Sequence, residues 1–497
     1  MLLDHAPGTD TRQAWPGLYD GEYRQGTGAS FEVENPSTGK CFATVDGASA
    51  EQISTVIGKA RTAFDGGGWS SLPVQQRAEK LRAMLGWIQA NADRFTDLVV
   101  AEAGLVRASM VKFAQIDLAI KHGLDIIDMA LTLPSVTDNP LPLSERFTPH
   151  YSLQSFQVYE PVGVVSAISA YNFPLWIAAW KIFPALITGN TVILRPSPLT
   201  PLSALLLGEA AQVAGLPDGV FSIVAEGGNE GGVILSTDPR VDMVTFTGSS
   251  NVGRMVMKQA ADTMKRLQLE LGGKSAQIYL PDALDMAPGA ADRVCLAHSG
   301  QGCVLGTRIF VPESEKARIL ANMAKSLSRA VIGPADAPAT TMGPVISRAQ
   351  VERCESFVSA AVAAGGRIVH GGKRPVHLPD GHYFEPTILD LPDNGNPAAQ
   401  EEIFGPVVCV IGYRDIDHAI EMANESPYGL SGHVFGKDMT QAMAVAARLR
   451  TGTVNVNGGM FSAYASSGGR GLSGVGRERG VEGLRIYQEI KCMSVTT

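Results

Sequence analysis

The sequence predicts an α/β protein built on a parallel, doubly wound sheet, followed by a second α/β unit. Three observations point there. Short apolar, β-branched runs at 162–168, 191–194, 219–224 and 241–246 alternate with helical patterns. Strands separated by helices pack most readily as parallel neighbours. The fourth run leads directly into Thr247-Gly248-Ser249-Ser250-Asn251-Val252-Gly253 and another helical stretch. A second alternation of strands and helices occupies 275–465.

The elements follow in order. Ile53, Val56, Ile57, Ala60, Ala63 and Phe64 recur at helical spacing over 51–65, and Ser49 with Gln52 reads as a capping box. Residues 76–131 read as further helices. Val162–Ile168 is the first strand, Ala178–Leu186 a helix, and Thr191–Leu194 the second strand. Thr200 suits an N-cap and Pro201 a first helical position, so a helix is expected over Leu202–Ala214, ending at Gly215. Gly219–Val224 and Val241–Phe246 complete the four strands.

Bulk properties narrow the function. The 497 residues carry a net charge of −8, with 45 % hydrophobic and 18 % charged residues. That is globular composition, with no overall electrostatic case for nucleic acid or an anionic membrane. The first fifteen residues contain acids and no long apolar run, so no signal peptide is expected, and no stretch is long enough for a membrane span. Cys41, Cys295, Cys303, Cys354, Cys409 and Cys492 form neither CxxC pairs nor a Cys/His cluster. A reduced, cytoplasmic protein without a metal site is the expectation.

The strand, glycine turn and helix at 241–253 suit a dinucleotide: glycine lets the backbone approach a pyrophosphate, and a helix N-terminus favours its charge. A tight turn with glycines for steric reasons alone would read the same way. Three further segments carry chemistry: Glu270-Leu-Gly-Gly-Lys274, Gly300-Gln-Gly-Cys303 and Glu401-Glu-Ile-Phe-Gly-Pro406. Taken singly, Cys303 could be an inert buried thiol. Glu270 could be a surface carboxylate, the diglycine a strand end, and Glu401–Glu402 a solvated pair.

Together, and in this order, these segments resemble the aldehyde dehydrogenase superfamily. So do Pro161–Pro174, Pro184–Ser197 and the run Ser473-Gly-Val-Gly-Arg-Glu478 with Gly483-Leu484. The similarity covers the chain from about residue 30 onward. It implies NAD(P)-dependent, hydrolytic aldehyde oxidation, with NAD the favoured cofactor and NADP an alternative. Cys303 is then the nucleophile, which adds to the carbonyl and makes a tetrahedral adduct able to release hydride. The site would have to stabilise its thiolate. Asn172 and the Cys303 N–H are the oxyanion donors. Glu270 is the base for thioester hydrolysis, with a raised pKa. Lys181 and Glu478 match a proton relay, although an ion pair would look alike. Ile168, Arg195, Ser197, Gly248, Ser249, Val252, Leu271, Glu402 and Phe404 match cofactor contacts. Tyr171, Phe173, Trp176, Trp180, Gly302, Val304, Met460, Phe461 and Ser467 match a substrate tunnel.

The resemblance also implies domains: a Rossmann-like dinucleotide unit over 1–138 and 160–271, a catalytic unit over 272–478, and a small β extension over 139–159 and 479–497. In relatives such an extension pairs with a neighbour's sheet, so a homodimer or homotetramer is expected.

The chain departs from the family in two places. Arg195-Pro-Ser-Pro198 lacks the carboxylate that often follows Lys-Pro-Ser, which removes an acceptor for ribose hydroxyls and leaves the NAD/NADP choice open. Ser467 replaces an aromatic near the substrate, and Asn455 a frequent tryptophan. The small Gly302 and Val304 leave room beside the nucleophile, and no matched tunnel position carries Arg or Lys. A hydrophobic aromatic or terpenoid aldehyde is therefore the expected substrate. Two rivals remain: a CoA-acylating semialdehyde dehydrogenase, which generally lacks the Glu270 base, and a catalytically idle structural relative.

Overall fold

The four runs form the centre of the first sheet in the computed structural model, which describes residues 14–140, 153–459 and 462–496. They are β1 (Val164–Ile168), β2 (Thr191–Arg195), β3 (Phe221–Val224) and β4 (Met243–Thr247), joined by β5 (Arg266–Glu270). Their order is β5-β4-β1-β2-β3, all parallel. Short antiparallel strands, Gly474–Val475 beside β5 and Leu18–Tyr19 beside β3, extend the edges. β1 to β3 are buried throughout, as a sheet covered by helices on both faces requires.

The chain runs outward from β1 through β2 to β3, then crosses back to β4 on the other side of β1. That reversal leaves a crevice at the carboxyl ends of β1 and β4, the usual ligand position in such sheets.

The second sheet holds β6 (Ala276–Tyr279), β7 (Arg308–Pro312), β8 (Thr387–Asp390), β9 (Val407–Tyr413), β10 (Ser431–Phe435) and β11 (Thr453–Val456). Their order is β8-β9-β7-β6-β10-β11, all parallel, with Arg367–His370 antiparallel outside β8. Apolar clusters cover both its faces, one around Phe310, Phe384 and Ile411, the other around Ile309, Val410 and Met323.

A separate antiparallel sheet pairs Leu153–Pro161 with Gln488–Thr496 on one side and Val136–Asp138 on the other. The expected β extension thus has its own chain as a partner. Residues 141–152 of that segment lie outside the described residues.

The predicted capping box is present: Ser49 Oγ accepts from the Gln52 N–H, and Gln52 Oε1 accepts from the Ser49 N–H. The expectation at Thr200 fails. The helix there starts at Leu202, breaks at Leu206 and resumes over Leu207–Val213. Its cap comes from a residue a hundred positions away. The buried Glu102 carboxylate accepts from the Leu202 and Ser203 N–H groups at 2.7 and 3.0 Å, and Thr200 Oγ1 has no partner among the described residues. Replacing Glu102 by alanine leaves three buried donors unpaired, the two N–H groups and the Ser203 hydroxyl. A loss of about 1–3 kcal/mol is expected, read as a lower midpoint in urea or thermal unfolding.

Arg107–Asp117, within the region read as helical, winds as a π-helix. Its Gln115 Oε1 accepts from the Leu175 and Trp176 N–H groups at 3.1 and 3.4 Å. It thereby caps α1 (Pro174–Ile187), which starts on a proline whose missing N–H is no loss.

Candidate active site

Most of the candidate side chains come from the ends of β1, β2, β4 and β5 and the loops after them, from the helix Pro174–Ile187, and from the segments before β7 and β9. β4 ends in Gly248-Ser249, and α2 (Ser250–Ala260) starts there, with Ser249 Oγ accepting from the Val252 N–H at 3.3 Å. A Cβ on Gly248 would lie 2.4 Å from the Phe246 ring, and one on Gly253 2.5 Å from Leu271. The glycines thus let the turn sit on its strand and the helix on Leu271. α2 starts at the carboxyl end of β4, so the partial positive charge of its first N–H groups lies at that end of the sheet.

β5 ends at Glu270, and Leu271-Gly-Gly-Lys274 leads into β6. Gly273 has no room for a side chain: its Cβ would lie 2.3 Å from the Cys303 carbonyl oxygen. The two loops are therefore stacked. The approach to Cys303 is a strained turn, with φ of +50° at His298, +53° at Ser299 and +75° at Gly300. Non-glycine residues in that region cost about 1–3 kcal/mol each. Ser299 Oγ offsets part of this by donating to the Gly343 carbonyl at 2.7 Å. Asn172 Nδ2 donates to the Gln301 carbonyl at 2.9 Å. That bond binds the loop after β1 to the nucleophile turn and leaves the second amide hydrogen for a substrate oxygen.

Glu270 is buried, and its Oε1 has no hydrogen-bond partner among the described residues. Burial foremost, and the Glu478 charge next, hold its pKa well above the carboxylate range. Burial also pushes the Cys303 thiol up, with the charges of Glu270 and Glu402 adding to the effect. Both influences disfavour the thiolate, so the surroundings of Cys303 do not supply the expected stabilisation, and a base is needed to take its proton.

Lys181 and Glu478 form a buried ion pair at 2.8 Å. Lys181 Nζ also donates to Thr245 Oγ1 at 3.1 Å and lies 3.4 Å from Gln268 Oε1. This joins α1, β4, β5 and the C-terminal segment behind Glu270. On the other side, Glu402 Oε1 accepts from the Gly273 N–H at 2.9 Å, and burial pushes Glu402 up to about 7. Phe404, at φ +63°, packs edge-on to Tyr171 with ring centres 6.0 Å apart. Ile168 ends β1 and is buried, and Ser197 Oγ accepts from the Leu199 N–H at 3.3 Å.

Three of the residues matched to the tunnel, Phe173, Trp176 and Trp180, pack together as an aromatic box. Trp176 and Trp180 lie 4.5 Å apart, and Phe173 packs edge-on to both Trp176 and His298. Both indole N–H groups donate to His122 Nδ1, at 3.1 and 3.0 Å. Burial, then the Arg479 charge, push His122 down to about 4, so the neutral ring keeps an accepting nitrogen. A Cβ on Gly302 would come within 2.9 Å of the Leu305 side chain. The Val304 carbonyl accepts from His433 Nε2 at 3.1 Å. Met460 and Phe461 lie outside the described residues.

Sequence reasoning missed three residues here. Arg479 stacks on Trp180 at 5.1 Å and donates through Nε to Ser467 Oγ at 3.0 Å. Arg479 was not among the positions matched to the tunnel. The only sequence signal was the arginine immediately after Glu478. His122 gave no signal in a helical stretch, and neither did Glu226, which pairs with Arg195 at 2.8 Å.

Residues 23–493 match the aldehyde dehydrogenase family. The betaine aldehyde dehydrogenase of Bacillus subtilis is 35 % identical over 92 % of this chain and 92 % of its own length. Two solved structures are similar across the chain. Aldehyde dehydrogenase C of Pseudomonas syringae, a C291A mutant complexed with NAD+ and octanal, is 34 % identical with a TM-score of 0.89, covering 96 % of each chain. An aldehyde dehydrogenase of Mycobacterium tuberculosis complexed with NAD+ is 36 % identical with a TM-score of 0.91, covering 97 % of this chain and 98 % of that one. The chain belongs to the aldehyde dehydrogenase family. No helix among the described residues is long and apolar enough to cross a membrane.

Proposed function

We propose that the protein oxidises a hydrophobic aldehyde to its carboxylic acid, with Cys303 as nucleophile, Glu270 as base and NAD as oxidant. The observation that carries this is the convergence of three loops on one point. Asn172 is bonded to the residue two before Cys303, and Glu270 is close enough for its charge to raise the Cys303 thiol.

The donor set fits a dinucleotide. The N-terminus of α2 suits the pyrophosphate. Glu402 keeps one oxygen on Gly273 and has another for a ribose hydroxyl, and Phe404 supplies a flat face beside Tyr171. Bound NAD supplies the acceptor for the aldehydic hydride.

The chain's own residues do the rest. Glu270 takes the Cys303 proton. Sγ adds to the carbonyl carbon, and the electron pair moves to oxygen, where Asn172 Nδ2 and the Cys303 N–H donate to it. Once hydride has left, a thioester remains. Glu270 then takes a proton from water, the hydroxide adds, the C–S bond breaks and the acid leaves with the thiol regenerated. The ion pair of Lys181 and Glu478 offers the proton a way out behind Glu270. Glu270 also argues for water rather than CoA as the acyl acceptor.

The aromatic box supports a flat, apolar aldehyde. Its kcat/KM for aromatic aldehydes is expected to exceed that for succinic semialdehyde by about tenfold or more. One observation favours a second reading: Arg479 places a guanidinium on the box wall, and a carboxylate-bearing aldehyde could use it. A panel won by the semialdehyde would establish that reading and remove the first. The domain division at 271/272, a homodimer or homotetramer joined through the strands Leu153–Pro161 and Gln488–Thr496, and a cytoplasmic location complete the proposal.

A further inference from the structure

The carboxyl ends of β2 and β3 lie side by side, with Leu194 opposite Ile223. Each strand leads to a charge: Arg195 closes β2, and Glu226 follows β3 by two residues. Both side chains are more than nine-tenths buried. Arg195 Nε and Nη2 reach Glu226 Oε1 at 2.9 and 2.8 Å, and the Gly232 N–H donates to the same oxygen at 3.2 Å. Nη2 also donates to the Gly228 carbonyl at 2.7 Å. Oε1 is therefore saturated. Glu226 Oε2 and Arg195 Nη1 make no hydrogen bond among the described residues. Oε2 borders open space: a Cβ on Gly228 would meet only that atom, at 3.8 Å.

From this geometry we propose that Glu226, held by Arg195, reads the adenosine ribose and makes the enzyme select NAD over NADP. The proposal rests on the crevice being the dinucleotide site. The reacting end must reach Cys303, beside Glu270 at the end of β5. The pyrophosphate sits at the start of α2, after β4. The far end of the dinucleotide then lies over β2 and β3, where the pair waits. Oε2 leaves an acceptor, and Nη1 a donor on the guanidinium edge away from Glu226, for ribose hydroxyls, which both donate and accept. A 2′-phosphate would set its charge against Glu226, and the Arg195 charge is already matched. The carboxylate that Pro198 removes from the loop after β2 is thus supplied by the loop after β3.

The test is equilibrium titration of the enzyme, without aldehyde, using NAD, NADP, AMP and adenosine 2′,5′-bisphosphate. The wild type is expected to bind AMP more tightly than its 2′-phosphorylated form. Glu226→Gln and Glu226→Ala are expected to narrow that ratio by about tenfold or more, chiefly by tighter binding of the 2′-phosphate to the released Arg195. Glu226→Asp, which keeps the charge, is expected to retain most of the discrimination. Thermal unfolding identifies any variant that does not fold, and the wild-type ratio decides without a variant. A wild type that prefers the 2′-phosphate overturns the proposal. So does a ratio within about twofold of wild type in a folded Gln or Ala variant. A wild type that binds neither NAD nor AMP removes the crevice reading, and the proposal with it.

Discussion

Cys303→Ala is expected to lower aldehyde turnover by about 10⁴-fold or more, a loss of the size seen when a covalent nucleophile is removed elsewhere. The reason lies in the order of events. Without the C–S bond there is no tetrahedral adduct, and an aldehyde carbonyl does not release hydride readily. Asn172 and the backbone donor cannot compensate, because they stabilise an oxyanion that no longer forms. The substitution removes only a sulfur atom from a half-buried position, and the turn is held by Ser299 and Asn172, not by the thiol. NAD binding and the unfolding midpoint should therefore stay near wild type. Stopped-flow absorbance with excess aldehyde measures the effect. Turnover that survives would show that another group carries the chemistry.

Glu270→Gln has a different signature. Thiol addition slows because Glu270 no longer takes the Cys303 proton, and hydrolysis, which needs the same base to make hydroxide from water, slows more. General-base catalysis supplies about 10²–10⁴-fold, so the steady state should fall by that factor. Rapid mixing should show a burst of reduced cofactor approaching one per site, followed by a slow phase, with the acyl group retained on Cys303 by mass spectrometry. The pH profile adds an independent check. A base works only when deprotonated, and burial holds Glu270 well above ordinary carboxylates. Activity should therefore be lost as pH falls through a limb well above 4.5, and that limb should vanish in the Gln variant. A limb at 4.5 would mean that Glu270 meets more water than its burial implies.

Much of this was legible from sequence because the determining interactions are local. The Ser49–Gln52 capping box joins residues three apart, and the strands of the first sheet are continuous apolar runs bounded by turn residues. The Glu270, Cys303 and Asn172 segments were legible as a set, by resemblance. What escaped was long-range. The cap on Leu202 is Glu102, so the propensity of the nearby Thr200 was overridden by a carboxylate arriving in space. His122 is the common acceptor for two indoles, yet in sequence it is one residue of an apolar helix. Glu226 matters because β2 and β3 lie adjacent, which no spacing along the chain encodes. Arg479 was visible as a letter, but its position over Trp180 depends on the C-terminal segment folding back behind β5.

The hydrogen bond from Asn172 to the Gln301 carbonyl has a consequence for how the enzyme fails. Asn172 stands on the loop after β1, in the first sheet. Gln301 belongs to the turn carried between β6 and β7, in the second. The proposed oxyanion donor and nucleophile therefore come from different halves, aligned across the seam by this bond together with the packing of Phe173 on His298. Neither half holds a working fragment of the chemistry. A disturbance that slides the halves apart by an ångström silences both groups at once, while each sheet keeps its hydrogen bonds. Inactivation and unfolding then become separable events: a warm or mildly denatured sample can be fully folded by circular dichroism and wholly inert, and can regain activity when the seam closes.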